Sequence, residues 1–259
     1  MDKKQRTLVV GDVHGAAKAL KQVLEKSNFN PKSDTLISLG DIADGWSETS
    51  ECVDILLGIQ EKAGEFNQPI FIRGNHDVWC NNWFRYGQTP IIWTQQGGKA
   101  TIDSYVRTQN IADQNHRKFW EDQRDWYIDE ENRLFIHAGW DYLLGFPTGA
   151  DTPVNAGEGA KECHWDRTII EHLSGKEDML RFYPNYSLKG LEKELDQFKE
   201  VYIGHTATRT NMFEHYHNLY NLDTGCGWYG KLTIMDIDSK EYWQSDLAKD
   251  LYPEEKGRR

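Results

Sequence analysis

The sequence lacks the features that mark membrane proteins and disulfide-rich secreted proteins. Its 259 residues contain no apolar run near the ~20 residues that a membrane-spanning helix requires. The polar residues 1–6 lead into the run Thr7–Val10, which is too short for the core of a secretion signal. The four cysteines are scattered without CxxC spacing, which favours free thiols in a reducing compartment. We therefore expect a cytoplasmic protein that does not bind membranes.

Positive charge is also scarce. The chain carries 30 Lys and Arg against 41 Asp and Glu, which gives a formal net charge of −11. Affinity for a long nucleic-acid backbone comes largely from basic side chains that displace counterions, so binding along such a backbone is not expected. A nucleotide or an RNA end is still compatible with this composition as a substrate, because bound metal ions can supply positive charge locally.

Repeats, low-complexity segments and Pro- or Ser-rich linkers are missing as well, which favours a single domain over residues 1–259. A recurring unit is present instead: a short apolar run followed at once by Gly, Asp, Asn or His. The runs are residues 8–10, 36–39, 70–72, 134–136 and 201–203. Short apolar runs of this kind predict buried strands. Polar residues just past such strands lie where ligands bind in α/β sheets.

Amphipathic helical patterns separate the predicted strands. Apolar residues recur at helical spacing in residues 17–24, 53–60 and 188–198, with Gly64 as a stop for the second pattern. The alternation of strands and helices predicts an α/β fold. Residues 220–225 and 231–237 resemble two strands joined by a Gly-rich turn, which predicts a hairpin and a mixed sheet.

Two segments do not follow the strand–helix alternation. Residues 78–131 are rich in Trp, Gln and Asn, and residues 140–186 are rich in Gly and aromatics. Both follow candidate ligand loops, so we interpret them as inserts that form walls or a lid for the active site. Most of their aromatic side chains are expected to pack the inserts onto the core, with one or two lining the pocket.

Six side chains that can bind metal follow the predicted strands: Asp12, His14, Asp41, Asn75, His137 and His205. Each loop alone would be a weak signal, since a turn can hold an Asp or a His without any metal. Together, carboxylate, imidazole and amide ligands suit Mn, Fe or Zn. A carboxylate such as Asp41 can bridge two ions. Two ions ~3.5–4 Å apart activate a water and favour in-line displacement at phosphorus.

Five motifs in this order resemble the phosphoprotein phosphatase family, within the calcineurin-like metallophosphoesterases, and its bacterial and phage branch above all. They are residues 11–15 (GDVHG), 40–45 (GDIADG), 73–77 (RGNHD), 137–139 (HAG) and 204–206 (GHT). The resemblance implies two mixed β-sheets sandwiched between helices in α/β/β/α layers. It also implies a dinuclear, metal-dependent hydrolase in which a metal-bridging hydroxide attacks a phosphate monoester. Two divalent ions are expected, with Mn2+ as the first choice and Fe or Zn as alternatives.

The resemblance also implies a role for each matching residue. Asp12, His14 and Asp41 would bind one ion, and Asp41, Asn75, His137 and His205 would bind the other. His76 would be the general acid that protonates the leaving oxygen, oriented by Asp44. Arg73, Arg167 and Asn75 would contact the substrate phosphate, because Arg suits bidentate binding of oxyanions.

Two departures from the family pattern bear on the substrate. Protein phosphatases usually have Asp-Arg-Gly at the end of the second motif, whereas this chain has Gly45 in place of the phosphate-binding Arg. Arg209 is a candidate to compensate from its position shortly after the fifth motif. Asp77 also replaces a usual Glu. Both changes bear on phosphoprotein specificity more than on hydrolysis.

Three functions therefore compete. The first is a phosphatase of the serine/threonine protein phosphatase type, which acts on a phosphorylated protein. The second acts on nucleotides or small phosphoesters: a dinucleoside polyphosphate hydrolase, a cyclic phosphodiesterase or an RNA-end phosphatase, in which Trp or Tyr could stack on a base. The third is a binding module without activity, which the complete set of six ligands plus His76 argues against.

Overall fold

The computed structural model describes residues 5–146, 163–175 and 187–258. Its strands are β1 (Thr7–Val10), β2 (Thr35–Ser38), β3 (Ile70–Phe71), β4 (Trp126–Ile128), β5 (Arg133–Ile136), β6 (Glu200–Ile203), β7 (Glu214–Tyr216), β8 (Leu219–Asn221), β9 (Thr233–Asp236) and β10 (Tyr242–Gln244). Its α-helices are α1 (Ala17–Lys26), α2 (Thr49–Lys62), α3 (Asn75–Tyr86), α4 (Ile91–Trp93), α5 (Lys99–Thr108), α6 (Gln114–Glu121), α7 (Thr168–Leu173), α8 (Leu188–Leu195) and α9 (Ala248–Leu251). Thr94–Gly98 and Asn110–Ala112 form two further helical turns.

The strands form two five-stranded sheets. The first has the order β10-β9-β1-β2-β3, with β1, β2 and β3 parallel and β9 and β10 antiparallel to their neighbours. The second has the order β4-β5-β6-β8-β7, with β5, β6 and β8 parallel and β4 and β7 antiparallel at the edges. Both sheets are mixed, and all five predicted strand runs coincide with strands β1, β2, β3, β5 and β6.

Three apolar clusters hold the layers together. The cluster between the sheets contains Val9, Ile37, Phe135, Tyr202 and Met235, all at most 1% exposed. A second cluster joins the outer face of the first sheet to α1, α2 and the helices of residues 75–121. A third packs α7 and α8 on the second sheet. The predicted α/β/β/α layering is confirmed, because each sheet buries one face on the other sheet and one face under helices.

The predicted hairpin between residues 220–225 and 231–237 is wrong. Both segments contain strands, but β8 belongs to the second sheet and β9 to the first. The Gly-rich connection therefore crosses between the two sheets instead of closing a hairpin. The partner of β8 in an antiparallel hairpin is β7.

The first predicted insert begins within α3 and continues through α4, α5 and α6 to β4. Its helices α5 and α6 pack against α2. Of the second predicted insert, residues 147–162 and 176–186 lie outside the described residues. In the described part of the chain, no helix has the length and apolar character needed to cross a membrane.

Candidate metal centre and active site

The six predicted ligands meet where the two sheets present their loops. Asp12 and His14 follow β1, Asp41 follows β2, Asn75 opens α3, His137 follows β5 and His205 follows β6. All six are buried, with at most 6% of each residue exposed. They include two clusters of ligand atoms that share Asp41. We call Asp12, His14 and Asp41 the first ligand group, and Asp41, Asn75, His137 and His205 the second ligand group.

The carboxylate of Asp41 has one oxygen turned toward each group. Its Oδ2 lies 3.5 Å from His14 Nε2, and its Oδ1 lies 3.4 Å from His137 Nε2. The side-chain oxygen of Asn75 lies 3.2 Å from the same nitrogen of His137. This is the arrangement that a carboxylate bridging two ions requires.

Backbone carbonyls fix the orientation of the two histidines beside Asp41. His14 Nδ1 donates to Ala43 O at 3.1 Å, and His137 Nδ1 donates to Leu39 O at 2.8 Å. Because the proton of each ring then sits on Nδ1, the lone pair of Nε2 faces the ligand groups. Asp12 Oδ1 is buried without a hydrogen-bond partner in the described structure. The donor set therefore fits two divalent ions.

Backbone strain is concentrated in the same loops. His14, Asp41, Asp44 and His205 adopt φ angles of 51°, 48°, 73° and 66°. Residues other than Gly rarely occupy this left-handed region, which costs roughly 1–2 kcal/mol per residue. Such strain persists where the surrounding structure holds a functional geometry in place.

Two glycines allow the loops to approach the ligands. A Cβ on Gly74 would lie 2.1 Å from Asp41 Oδ1, and a Cβ on Gly204 would lie 2.0 Å from Asp12 Oδ1. No side chain fits in either place. The Gly that precedes Asn75 and the Gly that precedes His205 are therefore required by the packing around Asp41 and Asp12.

The buried carboxylates repel one another. Burial raises the pKa of Asp12 well above its usual value, and the charges of Asp223 and Asp41 add to this effect. Burial also raises the pKa of Asp223 to about 6. Burial opposes the ionisation of Asp41, but neighbouring histidines, led by His137, hold its pKa well below the usual value. Bound cations would relieve this repulsion, which again fits a metal centre.

Sequence reasoning missed Asp223, which is 3% exposed and follows β8. Its Oδ1 accepts a hydrogen bond from Gly225 N at 3.0 Å, which fixes the carboxylate in its loop. The missed signal was the recurring unit itself, since the strand-like residues 220–222 are followed by Asp-Thr-Gly. The predicted hairpin drew attention away from it.

Asp77 joins the second and third motifs. Its Oδ1 accepts from Ile42 N at 2.9 Å and from Ala43 N at 3.0 Å, and its Oδ2 accepts from Gly74 N and Gln123 Nε2. One buried carboxylate therefore binds both loops that flank Asp41. The shorter side chain at this position serves the scaffold of the site.

His76 and Asp44 form a buried pair beside the ligand groups. His76 Nδ1 lies 2.6 Å from Asp44 Oδ2, while His76 Nε2 is buried and has no hydrogen-bond partner among the described residues. Trp93 Nε1 donates to Asp44 Oδ2 at 2.7 Å, and Thr101 Oγ1 donates to Asp44 Oδ1 at 2.8 Å. Two side chains of the first insert thus fix the carboxylate that orients His76.

Burial dominates the protonation of this pair. It raises the pKa of Asp44 well above its usual value and lowers the pKa of His76 to about 3. When the buried Asp44 holds a proton and donates it to His76 Nδ1, the single proton of the neutral ring lies on Nε2, from which it can be donated to a leaving oxygen.

Tryptophans from both inserts meet beside His76. The ring of Trp79 contacts His76 edge-on at 5.1 Å and contacts Trp165 at the same centroid distance. Trp165 is 40% exposed, and its carbonyl oxygen accepts a hydrogen bond from His205 Nε2 at 3.2 Å. This leaves Nδ1 of His205 for the second ligand group.

The three arginines predicted near the phosphate occupy different surroundings. Nη2 of Arg73 donates to the backbone carbonyls of Trp120, Glu121 and Gln123, while its buried Nε has no hydrogen-bond partner among the described residues. Arg167 directly precedes α7, and both Arg167 and Arg209 are exposed.

The sequence profile of one family, described as calcineurin-like phosphoesterase, matches residues 5–209 of the chain. This range contains all six ligands, Asp44, His76 and Arg167. The match covers both sheets up to β6.

Similar proteins include a protein phosphatase and a dinucleoside polyphosphate hydrolase. The chain is 27% identical to serine/threonine-protein phosphatase 1 of Salmonella typhimurium over 88% of this chain and 90% of the relative. It is 21% identical to the symmetrical bis(5'-nucleosyl)-tetraphosphatase of Pasteurella multocida over 94% of this chain and 98% of the relative. Its fold resembles that of a protein serine/threonine phosphatase from Saccharomyces cerevisiae, with a TM-score of 0.59, 15% identity and coverage of 95% and 81% of the two chains.

Proposed function

This chain belongs to the calcineurin-like phosphoesterase family, and from that premise we propose that it hydrolyses phosphate monoesters in the manner of a serine/threonine protein phosphatase. One observation supports this proposal above all. Two ligand groups share Asp41, and the unpartnered Nε2 of buried His76 lies in the same site. A phosphatase needs both parts: a place that binds the phosphate beside cations, and a donor for the leaving oxygen.

The first ligand group would hold one divalent ion and the second ligand group the other, with Mn2+ as the first choice and Fe or Zn as alternatives. When bound, such a pair of ions supplies Lewis-acid charge and lowers the pKa of a water. The metal identity is part of the proposal. The four cysteines are buried and free, which supports a reducing, cytoplasmic location.

The chain's own side chains would perform the remaining steps. His76 would donate its Nε2 proton to the leaving alkoxide, which is a poor leaving group without it. Asp44 would keep the ring in the orientation observed and stabilise the charge that changes during proton transfer. Arg167 would bind the phosphate, because it lies two residues after Trp165, whose carbonyl oxygen accepts a hydrogen bond from His205, and its guanidinium can pair with two oxygens.

A second candidate is a hydrolase of dinucleoside polyphosphates or other nucleotides. The exposed ring of Trp165, in contact with Trp79 beside His76, favours it, since a base can stack on such a surface. The absence of the usual Arg at Gly45 and the tetraphosphatase relative favour it too. In this reading the tryptophans of the two inserts would form the wall that recognises the base.

One assay separates the two candidates. The protein with added Mn2+ is offered a phosphoserine peptide, an aryl phosphate, an aryl phosphodiester and a dinucleoside tetraphosphate. Turnover of the peptide and the aryl phosphate is expected. Turnover confined to the diester or the nucleotide would replace the first candidate by the second, and no turnover of any substrate would refute both.

The role of His76 has its own test. His76→Ala should lower kcat by roughly 10²- to 10³-fold for the peptide and much less for the aryl phosphate, whose leaving group needs no proton. Equal losses on the two substrates would show that His76 is not the acid.

A further inference from the structure

A guanidinium from the C-terminal segment reaches the first ligand group. Arg258 Nη1 lies 3.2 Å from His14 Nε2, the ring nitrogen that faces the metal centre, and donates a hydrogen bond to it. The aliphatic part of the same side chain passes position 45, where a Cβ on Gly45 would lie 3.2 Å from Arg258 Cγ. Arg258 therefore enters the site through the space that a side chain at position 45 would fill.

Glycines also line the rest of this passage. A Cβ on Gly227 would lie 2.3 Å from His14 Cδ2 and 3.0 Å from Arg258 Cδ. Gly257 adopts φ +61°, and a Cβ there would lie 2.8 Å from Gly227 O. The backbone N–H of Arg258 donates to Gly227 O at 3.0 Å. The side chain of Arg258 therefore fits into this passage only because Gly45, Gly227 and Gly257 have no side chains.

The segment that carries Arg258 is anchored to the loop after Gly45. Glu255 accepts hydrogen bonds from Ser47 N at 3.0 Å and from Ser47 Oγ at 2.7 Å. Tyr252 stacks on buried Trp46 with a centroid distance of 5.0 Å and an interplanar angle of 21°. These contacts lie within seven residues of Arg258, so its approach to the site is held by specific packing.

The charge of Arg258 lacks a direct acidic partner. Within the described residues, no carboxylate lies within 4.0 Å of its guanidinium nitrogens, and its buried Nε has no hydrogen-bond acceptor. The guanidinium carbon lies 5.1 Å from the ring centroid of Trp228, which supports the side chain from one side. Burial is the largest influence on the pKa of His14 and of His76, and the charge of Arg258 acts on both.

We propose that Arg258 binds the phosphate of the substrate, in the space that Gly45 leaves open. A metal ion and Arg258 cannot share the lone pair of His14 Nε2, so metal binding would free the guanidinium for an anion. The guanidinium of Arg258, whose buried Nε has no hydrogen-bond partner among the described residues, would then pair with two oxygens of the phosphate.

Arg209 is less suited to this role than the sequence suggested. Among the described residues, no hydrogen bond or ion pair joins Arg209 to one of the six ligands or to His76, whereas Arg258 donates to His14. Arg258 is nearly fifty residues farther along the chain and still approaches His14 directly. The compensation for Gly45 therefore comes from the C-terminal segment.

This proposal rests on the proposed function, and its test uses phosphate binding as well as turnover. The full chain loaded with Mn2+ is compared with Arg258→Gln, Arg258→Lys and the control Arg209→Gln by calorimetric titration with inorganic phosphate. Arg258→Gln should weaken phosphate binding by roughly 10- to 100-fold. Arg258→Lys should lose less, because it keeps the charge without the planar fork. Arg209→Gln should match the wild type, and all four proteins should hold equal amounts of metal.

Several outcomes would overturn the proposal. Unchanged phosphate affinity in Arg258→Gln would do so, as would an equal loss in Arg209→Gln. Tighter Mn2+ binding in Arg258→Gln with unchanged phosphate affinity would identify the segment as a block on the metal centre. A loss of metal in both Arg258 variants would assign Arg258 a structural role. Absence of turnover by the wild type would refute the proposed function, while the phosphate titrations would still report on Arg258.

Discussion

The two ligand groups share Asp41 but lie in contrasting surroundings. In the first ligand group, His14 Nε2 accepts a hydrogen bond from the guanidinium of Arg258, and the ring of His76 lies 5.1 Å from the ring of His14. In the second ligand group, His137 is fixed by Leu39 O. Both groups have a histidine fixed by a backbone carbonyl, so they differ in the guanidinium that donates to a ring nitrogen of the first group.

This difference predicts that the two groups bind their ions with different affinities. A cation close to a ligand weakens the binding of another cation there, so the second group should bind its ion first and more tightly. The first group should bind its ion more weakly, and binding of that ion should depend on whether phosphate is bound. Four experiments test or refine this contrast.

We expect the largest effect at Asp41, the residue that both ligand groups share. Asp41→Asn should lower kcat by about 10⁴-fold or more, the scale of losing a central catalytic group, because it weakens both ion sites. Metal analysis should show a fall from two ions per chain to one or fewer. The control is Asp54→Asn, since Asp54 is half exposed and pairs with His116 outside both groups. Two retained ions in Asp41→Asn would contradict the bridging role.

A smaller effect is expected at Trp93, which helps to fix the Asp44 carboxylate that orients the proposed acid His76. Trp93→Phe removes the indole donor to Asp44 but keeps most of the packing. We expect kcat to fall roughly 10- to 100-fold for alkyl phosphates, the cost of leaving a buried hydrogen-bond acceptor without its donor, with KM nearly unchanged. Aryl phosphates should be affected less.

Trp120→Phe is the matched control for Trp93→Phe. Trp120 is equally buried, but its indole donates to Tyr105 Oη at 2.9 Å and not to Asp44. Equal losses of kcat in the two variants would mean that Trp93 contributes only to the packing of the helices.

The order of metal binding tests the contrast directly. In a titration of the wild type with Mn2+, we expect two steps whose affinities differ by about tenfold, since the guanidinium of Arg258 contacts a ligand of the first group directly. His14→Ala should remove the weaker step and His137→Ala the tighter one. The reverse assignment, or two equal steps, would refute the proposed difference between the groups.

Local sequence patterns were enough to predict seven of the ten described strands, all but β4, β7 and β10, and the side chains that cluster around Asp41. Each ligand loop combines an apolar run, a Gly and a polar residue within a few positions, so the signal is contained in one short segment. Gly74 and Gly204 explain why a Gly accompanies the polar residues in these loops, because a side chain at either position would collide with Asp41 or Asp12. The polar residues are needed for the chemistry and the glycines for the packing, so both occur in one short segment.

Contacts between distant segments were not predictable in this way. The pattern of β8 and β9 indicated strands but not the sheet to which each belongs, and the hairpin prediction failed for this reason. Arg258 approaches His14 across 244 positions, through a passage defined by the absence of side chains at Gly45 and Gly227. No sequence pattern near Arg258 predicts that its side chain approaches His14.

The smallest expected effect concerns the scaffold behind the second ligand group. His164 Nε2 lies 3.0 Å from Asp125 Oδ1, and the neighbouring Cys163 O accepts a hydrogen bond from Ala138 N, next to His137. Burial lowers the pKa of His164 in the folded chain, although Asp125 opposes this effect. The folded state therefore favours neutral His164.

Stability should depend on pH accordingly. Below about pH 6.5, the usual value for an unfolded His, the unfolded chain binds the proton more readily than the folded chain. The contribution of His164 to the free energy of unfolding is therefore complete above about pH 6.5 and decreases as the pH falls toward the folded pKa. The slope for one group is at most ~1.4 kcal/mol per pH unit.

His164→Gln keeps an amide donor for Asp125 and removes the titrating ring. Urea unfolding of the metal-free wild type and variant at pH 7.5, 6.5 and 5.5 separates this contribution from other groups, because those are common to both proteins. The wild type should lose more stability than the variant between pH 6.5 and 5.5. Parallel pH profiles would show that the ring of His164 contributes packing alone, and that the scaffold of the second ligand group is insensitive to protonation.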